Sequence, residues 1–173
     1  MTNVRDLVAQ GRHTLAGAAI AAPGREAARL LGTLLGLSEV QVRAREEQPV
    51  EAQLAGRFAA LVARRAAGEP AAYLLGRREF FGREFGVDER VLIPRPETEL
   101  LVEIALALPL PDAAAVLDIG TGSGCIALTL AAERPSWRLL ATDLSLGALA
   151  CAHANARRLS LAGRVAFVAT DLA

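Results

Sequence analysis

The chain has 173 residues, of which 53% are hydrophobic and 22% charged, and its 19 basic and 19 acidic side chains give a formal net charge of zero. A chain of this length can bury roughly 70% of its unfolded surface, which is enough for one core or two small ones. The balanced charge argues against general nucleic-acid binding, and no apolar run approaches the ~20 residues of a membrane helix. Because residues 1–10 lack a signal-peptide core, the sequence favours a soluble, cytoplasmic protein.

Helical periodicity dominates residues 1–70. Thr2 is placed to cap a first helix, Gly36 to end a second, Ser38 to cap a third and Gly68 to end a fourth. We expect a small helical bundle. It either binds a partner or serves only as a structural cap, and composition alone does not separate these two roles.

Residues 71–95 differ in composition from the predicted bundle. Four of the chain's seven aromatic residues fall here, interleaved with glycines. Short apolar runs predict a hairpin with turns at 82–83 and 88–89 and a further extended run at 91–93. The aromatic side chains are predicted to form core and not a base-stacking platform, because no basic cluster accompanies them.

A glycine-rich turn marks the third part of the chain. The apolar run 113–117 leads into Asp118-Ile119-Gly120-Thr121-Gly122-Ser123-Gly124, and a helical pattern follows from Ile126. This is the layout of a strand, a tight turn and a helix N-terminus. The glycines permit positive φ and leave room for a ligand, and free N–H groups of the first helical turn point into the same space. We expect a ligand-binding loop, with an ordinary βα turn as the alternative.

The spacing of the glycines separates two classes of ligand. A dinucleotide fingerprint that begins at Gly120 requires a third glycine at position 125, where the chain has Cys125. The pattern Asp-x-Gly-x-Gly-x-Gly instead resembles motif I of the S-adenosylmethionine-dependent methyltransferases. A nicotinamide-dependent oxidoreductase is therefore disfavoured. Cys125 and Cys151, in predicted helices, lack metal-ligand spacing and are predicted to be buried, reduced and unpaired.

Acidic residues follow two further predicted strands. Asp143 ends the strand at 138–142, about 20 residues after the glycine loop, where such folds place the carboxylate that accepts ribose hydroxyls. Its alternative role is to cap the next helix. Asp171 follows the strand at 164–169, at a position that faces the adenine edge in this fold.

Four stretches, in order and correctly spaced, closely resemble the HemK family, the peptide chain release factor glutamine N5-methyltransferases. They are Glu69-Pro70-Ala71-Ala72-Tyr73-Leu74-Leu75-Gly76, Glu79-Phe80-Phe81-Gly82, Leu92-Ile93-Pro94-Arg95-Pro96-Glu97-Thr98-Glu99 and the run from Val116 to Gly124. The resemblance implies an α/β chain with a release factor-binding helical bundle (1–70), a connecting β-hairpin (71–95) and the first part of a class I, Rossmann-like methyltransferase domain (96–173).

The resemblance also implies an activity. It is the transfer of a methyl group from S-adenosyl-L-methionine to the side-chain N5 of the glutamine in the Gly-Gly-Gln motif of peptide chain release factors. The implied protein is cytoplasmic, is a monomer when intact, and contacts neither nucleic acid nor membrane directly.

The family pattern assigns no catalytic or metal-binding residue in this chain, but it does assign ten cofactor-binding residues. They are Thr98, Asp118, Gly120, Thr121, Gly122, Ser123, Gly124, Asp143, Asp171 and Leu172. Thr98 belongs to the Pro-Arg-Pro-Glu-Thr segment, which lies over the cofactor in the family. Leu172 departs from the aromatic residue that is common there, so the adenine would pack on an aliphatic wall.

The family's Asn-Pro-Pro-Tyr motif, which holds the substrate amide, has no counterpart, because the sequence contains no Asn-Pro pair. We therefore expect the chain to be the front part of a longer enzyme and to be inactive alone. The alternative is a non-catalytic remnant that binds cofactor or partner. The three strands of the last part should be ordered 3-2-1, which leaves the first strand as an exposed, aggregation-prone edge.

Overall fold

A computed structural model describes residues 2–171 of the chain. The chain divides into two compact units between Leu75 and Gly76, and each has its own hydrophobic core. The first unit is built from helices, and the second combines helices with two small sheets. None of the described helices has the length and the hydropathy needed to span a bilayer.

The first unit is a helical bundle, as predicted. Its helices in the described residues are α1 (Val4–Gly17), α2 (Pro23–Leu35), α3 (Glu39–Ala44), α4 (Ala52–Ala66) and α5 (Ala71–Leu75). Each longer helix turns an apolar stripe inward. Leu15, Leu30, Leu31 and Phe58 are almost completely buried where these stripes meet.

Short-range hydrogen bonds set the helix ends. Asn3, and not the predicted Thr2, caps α1: its side chain accepts from the N–H of Asp6 at 2.9 Å, and the Asp6 side chain completes a capping box. Gly36 ends α2 in the left-handed conformation, with φ 67°, and Ser38 caps α3. The predicted roles of Gly36 at the end of α2 and of Ser38 at the start of α3 are therefore confirmed.

The second unit begins with the predicted hairpin. Strands β1 (Arg77–Phe80) and β2 (Arg83–Gly86) pair antiparallel. The turn lies at 81–82, one residue before the predicted position, and both turn residues have positive φ, as a two-residue hairpin turn of type I′ requires. The carboxylate of Glu99 accepts from the N–H of Phe81 at 2.9 Å and stabilises this turn. The run at 91–93 does not form a strand, so that expectation is wrong.

The hairpin aromatics belong to the core of the second unit. Phe80 and Phe85 are buried and pack edge to face, with ring centroids 6.1 Å apart. The prediction that these rings form core is confirmed.

A parallel sheet follows and confirms the Rossmann-like α/β fold. After a 3-10 turn (Pro96–Thr98), the elements are α6 (Glu99–Ala107), β3 (Ala115–Ile119), α7 (Cys125–Glu133), β4 (Arg138–Asp143), α8 (Leu146–Arg158) and β5 (Val165–Ala169). The strands are parallel in the order β3-β4-β5. This is the predicted order 3-2-1, read from the other side.

The two faces of this sheet differ. Leu139, Ala141 and Val165 are buried in the core that the sheet forms with α7 and α8. On the alternate positions, Leu117 and Ile119 are 49% and 65% exposed. Within residues 2–171, β3 pairs only with β4 and is the predicted edge strand. Its tendency to aggregate stays a prediction.

Candidate functional site

Predicted site residues from the ends of all three parallel strands lie at one edge of the sheet. The register places the carboxyl ends of the three strands side by side. The turn at 120–124 follows β3, Asp143 ends β4, and Asp171 comes shortly after β5. The N–H of Thr170 donates to the backbone carbonyl of Asp143 at 3.3 Å, which joins the ends of the last two strands.

The three glycines of the turn serve two different purposes. Gly120, Gly122 and Gly124 all have positive φ, at 74°, 56° and 79°. A Cβ atom added at either of the first two would meet no other atom within 4 Å, so that side of the turn is open. At Gly124, a Cβ atom would lie 3.0 Å from Leu128 and 3.1 Å from Ala152. The third glycine therefore permits the loop to pack closely on α8.

Four backbone N–H groups of the turn are satisfied within the protein. Those of Gly120 and Thr121 both donate to the carbonyl of Thr142 at 2.9 Å, and that of Gly124 donates to the carbonyl of Thr121 at 2.8 Å. The N–H of Gly122 donates to the Asp143 carboxylate at 2.9 Å. The bonds to Thr142 and Asp143 hold the turn against the end of β4, and the bond from Gly124 closes the turn on itself.

Asp143 is a fixed, half-buried carboxylate beside the turn. Its Oδ2 accepts from Gly122 and its Oδ1 accepts from the N–H of Ser145, both at 2.9 Å. The side chain of Ser145 caps α8 by accepting from the N–H of Ala148 at 3.2 Å, so the alternative that Asp143 is the helix cap is wrong. Each Asp143 oxygen keeps acceptor capacity for another donor.

Asp118 lies beneath the same turn. Its Oδ2 accepts from the Thr121 hydroxyl at 2.7 Å. Burial raises the pKa of the Asp118 carboxyl above its ordinary value, and the hydrogen bond from Thr121 acts in the opposite direction. The negative charge of Asp143 also raises that pKa.

This raised pKa gives the second unit a pH-dependent stability. A carboxyl whose pKa is higher in the folded state stabilises the fold at low pH, and that contribution is lost as the pH rises through the folded pKa. We expect Asp118→Asn to gain stability over the wild type progressively as the pH rises above about 4, the ordinary pKa of an aspartate, and through the raised folded pKa of Asp118. Trp137, the only tryptophan and a buried one, reports unfolding of this unit by fluorescence. The exposed Asp112, changed to Asn, is the control, and parallel pH curves for wild type and Asp118→Asn would contradict the assignment.

Three further residues belong to the predicted site. Thr98 is half-buried at the start of α6, and among residues 2–171 no hydrogen bond joins its side chain to the glycine turn. Asp171 is exposed at the sheet edge. Leu172 lies outside the described residues. Their roles stay predictions.

Asn155 on α8 is a positioning residue that the sequence analysis did not identify. It is 2% exposed, and its Nδ2 donates to the carbonyls of Ser123 at 2.8 Å and Gly86 at 3.0 Å. Its Oδ1 accepts from the N–H of Gly86 at 2.7 Å. The side chain therefore ties the glycine turn to the end of β2. The available signal was a single amide on the buried stripe of a helix that otherwise buries small and apolar residues.

Both cysteines are free and buried, which confirms that prediction. Burial raises the pKa of the Cys125 thiol to about 11 and also raises the pKa of Cys151. Neither thiol is ionised at neutral pH, so neither is a reactive nucleophile.

Comparison with known proteins agrees with this architecture. A family model described as the PrmC N-terminal domain matches residues 6–76, and one described as the methyltransferase small domain matches residues 96–173. The first match falls on the helical unit up to the start of β1. The second covers the parallel sheet and the candidate site.

Several curated relatives carry the name release factor glutamine methyltransferase. The protein from Nitratidesulfovibrio vulgaris is 46% identical over 168 residues, which is 97% of this chain and 57% of that protein. The Burkholderia pseudomallei protein is 53% identical over 131 residues, covering 75% of this chain and 46% of its own length. The Cereibacter sphaeroides protein is 45% identical over 157 residues, which is 91% of this chain and 55% of that protein. The chain thus spans about half the length of the curated relatives it matches. On the strength of these matches and of the fold, the chain belongs to the family of the release factor glutamine methyltransferases.

Proposed function

We propose that the second unit binds S-adenosyl-L-methionine at the carboxyl edge of its parallel sheet. The observation that carries this proposal is the fixed carboxylate of Asp143 beside the open side of the glycine turn. Its two oxygens accept from Gly122 and Ser145 at 2.9 Å and keep acceptor capacity. Two vicinal ribose hydroxyls are donors of the kind that such a carboxylate recognises.

The shape of the turn suits this cofactor. The open sides of Gly120 and Gly122 leave space for a ligand close to the backbone. Four amides of the turn already donate within the protein, so the turn itself offers few free N–H groups to a pyrophosphate. This favours a cofactor without phosphates. Thr98, Asp118, Thr121, Ser123, Asp171 and Leu172 complete the proposed site.

For a protein of the full length of these relatives, the proposed activity is methylation of the side-chain nitrogen of a release factor glutamine, the one in the Gly-Gly-Gln motif. The bound cofactor supplies an electrophilic methyl group, and the rate of transfer depends on how well the acceptor nitrogen is aligned with it. The residues of this chain contribute orientation: Asp143 fixes the ribose, and Thr121 with Asp118 holds the turn in place. The names of the relatives support the choice of substrate.

The cofactor is tested by calorimetric titration of the chain with S-adenosylhomocysteine and, separately, with NAD. We expect binding of the first and none of the second. Tighter binding of NAD would contradict the proposal.

Methyl transfer is tested with the chain joined to the part of the Nitratidesulfovibrio relative that lies beyond the matched region. After incubation with purified release factor and methyl-labelled cofactor, the label should appear on the glutamine of the Gly-Gly-Gln motif. A release factor with glutamate in place of that glutamine is the control. Label elsewhere, or equal label on the control, would show a different substrate.

A further inference from the structure

The tip of the hairpin carries a residue in an unfavourable backbone conformation. Phe81 is the first residue of the turn between β1 and β2, and its φ of 50° lies in the left-handed region that glycine and asparagine prefer. A bulky side chain is an outlier in this region. Such a residue persists only where the surrounding structure holds it in place.

Charged side chains hold both backbone groups of Phe81. Its N–H donates to Oε1 of Glu99 at 2.9 Å, and its carbonyl accepts from Nη1 of Arg83 at 3.1 Å. Nη2 of Arg83 also donates to Oε1 of Glu133 at 2.6 Å, in a pair whose side chains are 27% and 33% exposed. Hydrogen bonds to ionised groups are stronger than those between neutral groups. These four residues form one chain of contacts, which we call the hairpin clamp.

The hairpin clamp joins two elements that border the proposed cofactor site. Glu99 is the first residue of α6 and directly follows Thr98, the last residue of the 3-10 turn. Glu133 is the last residue of α7, whose other end follows the glycine turn. No hydrogen bond joins the Thr98 side chain to the glycine turn within residues 2–171. The position of Thr98 therefore depends on the backbone beside it, which the hairpin clamp fixes.

We propose that Glu99 is a positioning residue for the cofactor: by accepting from the N–H of Phe81, it holds Thr98 at the site. This inference rests on the proposed function, because it takes Thr98 as a neighbour of the cofactor. Glu99 acts through Thr98 and does not itself contact the ligand, since its side chain binds the hairpin turn.

A purely local role for Glu99 explains less of the structure. An acidic residue in the first turn of a helix is favourable against the helix dipole, and Glu99 meets that condition in α6. This role requires no hydrogen bond to a residue 18 positions earlier in the chain. The contact with Phe81 joins two elements and holds a residue in an unfavourable conformation, and the positioning role accounts for both.

The affinity of the 173-residue chain for S-adenosylhomocysteine, measured by calorimetry, tests the role of Glu99. Glu99→Ala should weaken binding by about 3- to 10-fold. Glu99→Gln should recover most of this loss, because its amide oxygen can still accept from Phe81. Glu103→Ala is the matched control, since Glu103 is an exposed glutamate one turn later in the same helix, and its affinity should equal that of the wild type.

A double-mutant cycle with Thr98→Ala separates positioning from a general loss of stability. If Glu99 acts through Thr98, Glu99→Ala should weaken binding much less in the Thr98→Ala background than in the wild type. Additive losses would overturn the inference, and so would equal affinities of the wild type and Glu99→Ala.

Amide hydrogen exchange tests the contact in the absence of ligand. In Glu99→Ala, but not in Glu103→Ala, the N–H groups of Phe81 and Thr98 should exchange faster than in the wild type, because the hairpin clamp is broken. Unchanged exchange of both groups would contradict the inference. If the wild type did not bind S-adenosylhomocysteine, the proposed function would fail, and the exchange rates would still decide whether Glu99 positions Thr98.

Discussion

Replacing Asp143 by alanine is expected to weaken the binding of S-adenosylhomocysteine by about 10- to 100-fold. The change removes a carboxylate that could accept from the ribose hydroxyls, and charge-assisted hydrogen bonds of this kind are worth about 1.5–3 kcal/mol each. It also removes the acceptor of the Gly122 N–H, which in the wild type donates to Asp143 at 2.9 Å. Calorimetric titration of the folded variant measures the effect.

Two further variants serve as controls for this experiment. Asp112→Ala removes an exposed carboxylate from the same unit and should leave the affinity unchanged. Asp143→Asn keeps the shape and one acceptor oxygen, so its affinity should fall between those of the wild type and Asp143→Ala. If Asp143→Ala bound the ligand as tightly as wild type, Asp143 would have no place in the site.

Replacing Asn155 by alanine is expected to destabilise the second unit by about 3 kcal/mol. The substitution leaves the N–H of Gly86 and the C=O of Ser123 without the partner that Asn155 supplies, and each buried polar group left unsatisfied costs roughly 1–3 kcal/mol. The C=O of Gly86 loses its bond from Asn155 and keeps the weak thiol donor of Cys151, at 3.4 Å. For a unit of this size, the melting temperature should fall by more than about 10 °C. Denaturant unfolding followed by the fluorescence of Trp137 measures the change, because this tryptophan lies in the core of the same unit.

Arg157→Ala is the control for Asn155, since Arg157 lies on the exposed face of the same helix. A positioning role predicts a further result at temperatures where the Asn155 variant is folded. Because Ser123 is part of the glycine turn, the affinity for S-adenosylhomocysteine should also fall, by about 3- to 10-fold. A loss of stability with unchanged affinity would make Asn155 purely structural.

The fold was predictable where local pattern determines it. Apolar runs ending in Gly120 and Asp143 placed strands and their connecting helices within a few residues of their observed bounds. Gly36 ends α2 and Ser38 begins α3 through contacts that span only a few residues. The run at 91–93 failed because an apolar run forms a strand only where a partner strand is available, and that depends on the tertiary structure.

The sequence predicted where the acids of the candidate site lie, but not the contacts that hold the glycine turn in place. The acids at the strand ends follow from the topology of a parallel sheet, which brings distant carboxyl ends together. The amide of Asn155 contacts Gly86 and Ser123, which are 69 and 32 residues away in sequence. No short-range pattern encodes such contacts. The hydrogen bonds of the turn amides within the protein could not be predicted either, since they depend on the position of Thr142 on the neighbouring strand.

The hydrogen bonds within the glycine turn have a consequence for the thermodynamics of binding. The chain itself fixes the conformation of this turn, through Thr142 and Asp143. Ordering a loop costs roughly 1–2 kcal/mol of conformational entropy per residue, and a turn already fixed by its own protein avoids that loss when a ligand arrives. The turn is thus preorganised for the proposed ligand, and changes that loosen it should reduce affinity through entropy even where every atom proposed to contact the ligand is retained.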